Sequence, residues 1–212
     1  MKLKIVKDTH PIMRKKSLPV DLPLSKEDKE TLDNMLEYLK LSQDEDYAKK
    51  HNIKTGIGLA AIQIGLLKRM FVVYYDNGEK IVQYQLVNPK IIEYSVKKCA
   101  LKNGEGCLSV DVDHPGIAHR YYKIKMSAFD ALTNEDIIIV AKGFDAIVLH
   151  QPQTALRHRR RRVRRAPRER RRHLLLHQRR HHVLAAPVPQ PGGLRPAARS
   201  LRGRRRPRPG RA

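Results

Sequence analysis

The composition of the chain changes abruptly near residue 150, and this change limits what the chain can fold into. Residues 1–150 carry 20 lysines, three arginines and 20 acidic side chains, whereas residues 151–212 carry 21 arginines, no lysine and one acid, Glu169. The second part lacks Ile, Phe, Tyr and Met, so little in it can offset the entropy cost of folding. We expect a folded domain over residues 1–149 and a disordered Arg- and Pro-rich tail over residues 150–212.

Two explanations of this tail remain open. A polybasic arm can neutralise phosphates and bind RNA or DNA without sequence preference, although this one has no aromatic side chains to stack on bases. The other explanation is an artefact of an out-of-frame or misjoined coding sequence. Arg, Pro, Ala and Gly have GC-rich codons, whereas the Lys, Ile and Asn of the first part have AT-rich ones. The composition favours the artefact.

The first part has the pattern of an α+β domain with antiparallel-rich sheets and an N-terminal helix. Ser25 is a helix-capping residue, and helical spacing places Leu32, Met35, Leu36 and Leu39 on one apolar face. Five short runs with strand composition follow, at residues 70–75, 81–87, 90–96, 124–129 and 137–140. Their connections are of turn length, which favours antiparallel pairing because parallel pairs need crossover helices.

The chain shows no sign of export or membrane insertion. It has two cysteines, Cys99 and Cys107, too few for the disulfide framework of a small secreted scaffold. No apolar run has the length of a signal peptide or of a membrane span. We expect a cytoplasmic protein with no membrane association.

Two segments contain residues that could take part in chemistry. In Gly56-Ile-Gly-Leu-Ala-Ala-Ile-Gln-Ile-Gly65, the glycines allow close approach of another chain, and the Gln63 amide could donate to an oxygen that gains charge in a transition state. In Glu105-Gly-Cys-Leu-Ser109, a buried structural thiol is the default interpretation of Cys107. As a thiolate, Cys107 could instead be a nucleophile or a soft metal ligand.

Together, these two segments resemble the motifs of peptide deformylase, in its Gram-positive and mycoplasma-type branch. The resemblance covers residues 1–149 and includes Gly143-Phe-Asp-Ala-Ile-Val-Leu149, which is similar to the lead-in to the family's third motif. Ile62 departs mildly from the pattern, where the family usually has Pro. The resemblance implies hydrolytic removal of the formyl group from N-formylmethionyl peptides of nascent chains, and proximity to the ribosome.

The resemblance also implies roles for particular residues. One divalent ion, Fe(II) or its substitutes Zn(II) and Ni(II), would be held by Cys107 and two histidines of a helical His-Glu-x-x-His. The Gln63 side chain and the Leu108 N–H would stabilise the oxyanion. Gly58 would let the substrate backbone approach, and Arg120 would support the site or the substrate chain.

The third motif itself is missing. Where the family pattern is Gln-His-Glu-x-Asp-His-Leu, the chain has His150-Gln-Pro-Gln-Thr-Ala-Leu156. In direct register Gln151 and Ala155 replace the two histidines and Pro152 replaces the glutamate, while a shift by one makes His150 a tentative ligand. Pro152 also disfavours helix at the preceding residue. We therefore expect an incomplete metal site, a missing C-terminal metal-binding helix and impaired or absent activity.

Two other functions are compatible with the sequence. The first is a catalytically dead domain whose polybasic tail binds nucleic acid. The second is a cysteine-nucleophile hydrolase centred on Cys107, for which no partner histidine can be identified from sequence.

Overall fold

The computed structural model describes residues 3–111, 116–157 and 183–185, and only the backbone of residues 151–157 and 183–185. The helices are α1 (Lys26–Gln43), α2 (Glu45–His51) and α3 (Gly143–Arg157), with 3-10 turns at Pro11–Arg14 and Ala61–Ile64. The strands are β1 (Gly58–Ala60), β2 (Met70–Asp76), β3 (Ile81–Tyr94), β4 (Lys98–Leu101), β5 (Arg120–Tyr121), β6 (Lys123–Asp130), β7 (Glu135–Lys142) and β8 (Val183–Ala185). The predicted α+β class is confirmed.

The main sheet has five strands in the order β1-β2-β3-β6-β7, and every neighbouring pair is antiparallel. Tight turns join β2 to β3 and β6 to β7, as the sequence predicted. The second of these turns contains Asn134 in the left-handed conformation (φ 59°), which asparagine tolerates better than most residues. In the strand order of this sheet, the short β1 is at one end.

Both faces of β2 are buried, because its side chains alternate between two hydrophobic clusters. Phe71, Val73 and Tyr75 pack with residues of α3 such as Val148 and Leu149. Met70 and Val72 pack on the opposite face, together with the buried face of α1. A strand with two buried faces has a nearly continuous apolar sequence, which explains the composition of residues 70–75.

Helix α1 begins where its cap predicts. The Ser25 hydroxyl accepts a hydrogen bond from the Asp28 N–H at 3.1 Å, which satisfies one of the free donors of the first turn. Leu32, Met35 and Leu39 are completely buried and Leu36 nearly so. The predicted amphipathic helix is confirmed.

Two predictions about element boundaries are wrong. The runs 81–87 and 90–96 form one strand, β3, whose pairing with β6 shifts register between Val87 and Lys90, where Asn88 is left-handed.

The C-terminal helix is present, since α3 continues through Pro152 to Arg157. The proline removes one hydrogen bond to the Val148 carbonyl, but the buried residues from Ala146 to Leu149 hold the helix against the sheet. Tertiary packing therefore outweighs local propensity here.

A second sheet has the order β5-β4-β8, in which Ala185 is paired with Cys99. The end of α3 and β8 are the described pieces of the predicted tail. The rest of the tail, residues 158–182 and 186–212, lies outside the described residues. None of the helices in the described part has the length and apolar content to cross a membrane.

Candidate active site

The Gln63 side chain is held in one orientation by the turn in which it lies. β1 leads into the 3-10 turn Ala61–Ile64, which ends at Gly65 with a φ of 86°. The Ala60 N–H donates to Gln63 Oε1 at 2.9 Å. Because the carbonyl oxygen is used in this way, the NH₂ group of the amide points away from Ala60. Gln63 is buried, so this orientation is protected from competing water.

The loop that carries Cys107 follows a glycine turn at the end of β4. Gly104 has a φ of 81°, and its N–H donates to the Leu101 carbonyl at 3.1 Å. Within the loop, Cys107 is exposed, whereas Leu108 and Ser109 are buried. The default interpretation of Cys107 as a buried structural thiol is therefore wrong. That description fits Cys99, which is completely buried in β4.

The two sequence segments meet at the Gln63 amide. Gln63 Nε2 donates to Ser109 Oγ at 3.3 Å and lies 3.8 Å from Cys107 Sγ. A second contact joins them, since a Cβ added to Gly56 would lie 2.8 Å from Leu108 Cδ1. The structure thus brings Gln63, Cys107 and Leu108 together. Ser109 is an additional member that the sequence analysis did not select, although it ends the motif.

The surroundings of Cys107 favour the protonated thiol. Although the residue as a whole is exposed, desolvation around its sulfur is the largest effect and raises the pKa of the thiol, and the Asp8 carboxylate acts in the same direction. The Ser109 and Val110 N–H groups and the Lys54 charge oppose this shift and do not overcome it. Without a further cation, the sulfur is a poor nucleophile near neutral pH, because the thiolate is the reactive form. This environment gives no support to the cysteine-nucleophile alternative.

Arg120 and His150 lie next to the Cys107 loop in a buried ionic group. Arg120 donates to both carboxylate oxygens of Glu105, from Nε at 2.9 Å and from Nη2 at 2.7 Å. The Arg120 and Glu105 side chains are only 11% and 9% exposed. Glu105 had no role in the sequence analysis, and its position two residues before Cys107 is the only signal that could have indicated one.

His150 is engaged by the same arginine. Arg120 Nη1 lies 3.1 Å from His150 Nδ1. A guanidinium has no acceptor, so Nδ1 must accept this hydrogen bond and the proton of a neutral ring must be on Nε2. An imidazole in this state has no lone pair left for a metal ion. The Tyr121 ring lies near that of His150, with 5.9 Å between the two ring centroids.

The residues present do not fit a complete metal centre. Among residues whose side chains are described, no three of the types His, Cys, Asp and Glu are grouped closely enough to hold an ion. In the direct register predicted from the sequence, Gln151 and Ala155 of α3 replace the two histidines of the family motif. Neither is a ligand of the kind that holds Fe, Zn or Ni beside a thiolate.

Gly58 lies in β1, the strand that leads into the turn carrying Gln63. Gly58 pairs with Val73 in β2, and β1 is the last strand in the described sheet order. An end strand has one row of backbone groups without a strand partner. An extended peptide that adds to this row would run past Gly58 toward Gln63.

Comparisons with known proteins agree with this fold. The sequence model of the polypeptide deformylase family matches residues 2–153. A peptide deformylase of Macrococcus caseolyticus is 47% identical over 146 residues, which cover 68% of this chain and 79% of that protein.

Two solved structures are similar over the same region. A probable peptide deformylase from the Synechococcus phage S-SSM7 has a TM-score of 0.59 and 31% identity, with 73% of this chain and 94% of that chain covered. A class I type b peptide deformylase from Acinetobacter baumannii, bound to Met-Ala-Ser, has a TM-score of 0.57 and 25% identity, with coverages of 74% and 93%.

Proposed function

Because this chain belongs to the polypeptide deformylase family of hydrolases, we propose that residues 1–149 form a deformylase domain that binds N-formylmethionyl peptides. We also propose that the 212-residue chain hydrolyses these peptides slowly or not at all. The binding half of the proposal is carried by the Gln63 amide, which is oriented by Ala60 and directed at the Cys107 loop. The hydrolysis half depends on residues that α3 does not supply.

The substrate side of the site consists of groups that this chain retains. Gln63 Nε2 and the Leu108 N–H would donate to the oxygen of the formyl group as charge develops on it. Gly58 would leave room for the peptide backbone along the edge of β1. The peptide bound to the A. baumannii relative supports a site of this kind.

Arg120 acts through Glu105 rather than on the substrate. Its guanidinium is almost fully enclosed and already donates to Glu105 and contacts His150. Of the two predicted roles of Arg120, support of the site or of the substrate chain, we retain the first and assign to it the positioning of the Glu105–Cys107 end of the loop.

This chain lacks some of the side chains that the metal-dependent step of the family needs. The family's chemistry uses a divalent ion and a glutamate on the C-terminal helix, and the corresponding positions are Gln151, Pro152 and Ala155. An amide or proline cannot exchange a proton near neutral pH as a carboxylate does. His150, the tentative ligand, is occupied by Arg120. Weak metal binding and low turnover follow from this composition.

The test is a deformylation assay with a formyl-Met-Ala peptide, performed anaerobically with Fe(II) and, separately, with Ni(II) or Zn(II). We expect activity at least about 10³-fold below that of the M. caseolyticus relative, because metal and general base each contribute large factors. A rate close to that of the relative would contradict the proposal.

A restored chain separates the two halves of the proposal. The variant carries five substitutions in α3: His150→Gln, Gln151→His, Pro152→Glu, Thr154→Asp and Ala155→His. We expect it to gain activity, with Fe(II) as the preferred ion. A matched control retains the two new histidines but has Pro152→Gln in place of Pro152→Glu. If the restored chain folds and stays inactive, the assignment of the Gln63 and Cys107 site to deformylation is wrong.

The finer aspects of location and partners are also proposals. A cytoplasmic protein near the ribosome would meet nascent formylated chains, and a tail with 21 arginines would add attraction to RNA through charge. A gel shift with a single-stranded oligonucleotide tests the tail. We expect a salt-sensitive shift for the full chain and no shift after truncation at Arg157, and a shift that survives the truncation would place nucleic-acid binding elsewhere.

A further inference from the structure

The N-terminal segment connects the two halves of the site through its backbone. The Val6 N–H donates to the Gln63 carbonyl at 2.7 Å, and the Asp8 N–H donates to the Ser109 carbonyl at 2.9 Å. The hydrogen bond from Gln63 Nε2 to Ser109 Oγ, at 3.3 Å, completes the connection. Segment 6–8, Gln63 and Ser109 therefore form a closed ring of three hydrogen bonds.

Two lysine side chains also contact the loop. Lys7 Nζ lies 2.6 Å from Asp111 Oδ1, and Lys54 Nζ donates to the Val110 carbonyl at 2.5 Å. Lys7 and Asp111 are both more than half exposed, so their ion pair contributes little by itself. The backbone bonds of Val6 and Asp8 therefore provide most of the attachment.

From this arrangement we infer that residues 6–8 position the active site, by setting the distance between the Gln63 amide and the loop that carries Cys107. This inference rests on the proposed deformylase function. The two donors are two residues apart, so they hold the two carbonyls within about 7 Å plus the bond lengths. The loop has no strand or helix of its own between residues 102 and 111. Its other end is held by the Arg120–Glu105 pair.

The functional consequence follows from the geometry of oxyanion stabilisation. A donor contributes to the transition state only when it lies within hydrogen-bonding distance of the developing charge. Small displacements of positioned groups cost large factors in rate. Segment 6–8 therefore acts on the reaction through Gln63 and the Leu108 N–H, without contacting the substrate.

The first experiment measures amide hydrogen exchange in the full chain. Val6→Pro and Asp8→Pro each remove one donor, and Lys4→Pro is the matched control because its N–H is not part of the ring. We expect exchange of residues 105–111 to accelerate about tenfold in the two variants, with exchange of α1 unchanged. Acceleration no greater than in Lys4→Pro would overturn the inference. The two donors are removed in separate variants, so Asp8→Pro decides the question if Val6→Pro does not fold, and Val6→Pro decides it if Asp8→Pro does not fold.

The second experiment is a double-mutant cycle in the restored chain. Val6→Pro, which removes a donor without removing a charge, should lower kcat about tenfold with a smaller effect on KM. In a Gln63→Ala background the same substitution should have less than about a twofold effect, because the group being positioned is gone. Additive effects would show that segment 6–8 does not act through Gln63. If the restored chain is inactive, the proposed function fails, and the exchange experiment still decides the positioning role.

Discussion

Gln63 and Ser109 are 46 positions apart in the chain, and the Gln63 Nε2 donates to Ser109 Oγ over 3.3 Å. This bond uses one of the two N–H groups of the amide. The other is near Cys107 Sγ at 3.8 Å, a long contact with a weak acceptor. An oxygen bound beside Cys107 would be a better partner for this N–H than the sulfur is.

Loss of the Gln63 amide should remove transition-state stabilisation. In the restored chain, Gln63→Leu is expected to lower kcat about 100-fold, the magnitude associated with one oxyanion donor. Steady-state deformylation kinetics measure this. Gln83→Leu, at an exposed position of β3, is the matched control and should change kcat less than about twofold. Equal losses in both variants would contradict the role of Gln63.

Breaking the Arg120–Glu105 pair should destabilise the fold. Arg120→Met leaves the Glu105 carboxylate buried without its partner, which is expected to cost about 3–5 kcal/mol in free energy of unfolding. Urea denaturation measures this cost. Lys125→Met, which breaks the more exposed pair with Glu93, should cost less than about 1 kcal/mol. If Arg120→Met lowers the free energy of unfolding no more than Lys125→Met does, the buried Arg120–Glu105 pair does not stabilise the fold as expected.

Metal binding should depend on the two positions of α3 that lack histidine. With Co(II), the restored chain is expected to show a near-ultraviolet thiolate-to-cobalt band at about one equivalent, because a thiolate and two imidazoles form a tetrahedral site with one open position. The unaltered chain should lack this band. Adding Cys107→Ser to the restored chain should abolish it, whereas Cys99→Ser should not. The same band in the unaltered chain would mean that other residues complete the site.

Asp130 should make stability fall as pH rises above 4. Burial raises the pKa of this carboxyl, and the N–H groups of Gln85 and Leu132 and the Lys29 charge oppose the shift without cancelling it. Between the unfolded pKa, near 3.8, and the raised native pKa, the native state binds more protons than the unfolded state, so stability falls as pH increases. Above the native pKa of Asp130, the loss of folding stability is complete and no longer changes with pH.

The Asp130→Asn variant tests this pH dependence. Its side-chain oxygen can still accept from Gln85 and Leu132, which Asp130 Oδ1 contacts at 3.1 and 3.2 Å. We expect a flatter stability profile above pH 4 and a more stable protein at neutral pH, measured by urea denaturation across pH. Asp21→Asn, at an exposed position, reports the effect of losing one charge. A profile for Asp130→Asn parallel to that of the original chain would contradict the assignment.

Much of the fold could be predicted because its signals are local. The cap at Ser25, the helical spacing of α1 and the strand composition of β2 each depend on neighbouring residues, and all three predictions were confirmed. The family followed in the same way from two contiguous motifs around Gln63 and Cys107. The continuation of α3 through Pro152 was missed, because the packing that stabilises it involves the sheet.

The sequence by itself determined the α+β class, the family, and the absence of the two histidines and the glutamate from residues 151–155, since each of these can be read from residue types in order. Only the tertiary structure decided that Gln63 is oriented by Ala60 and linked to Ser109, that Arg120 is enclosed by Glu105 and His150, and that residues 6–8 join the two halves of the site. These relationships connect segments that are far apart in the chain. Hydrogen bonds depend on distance and angle, and the spacing of residues along a sequence specifies neither until the chain has folded.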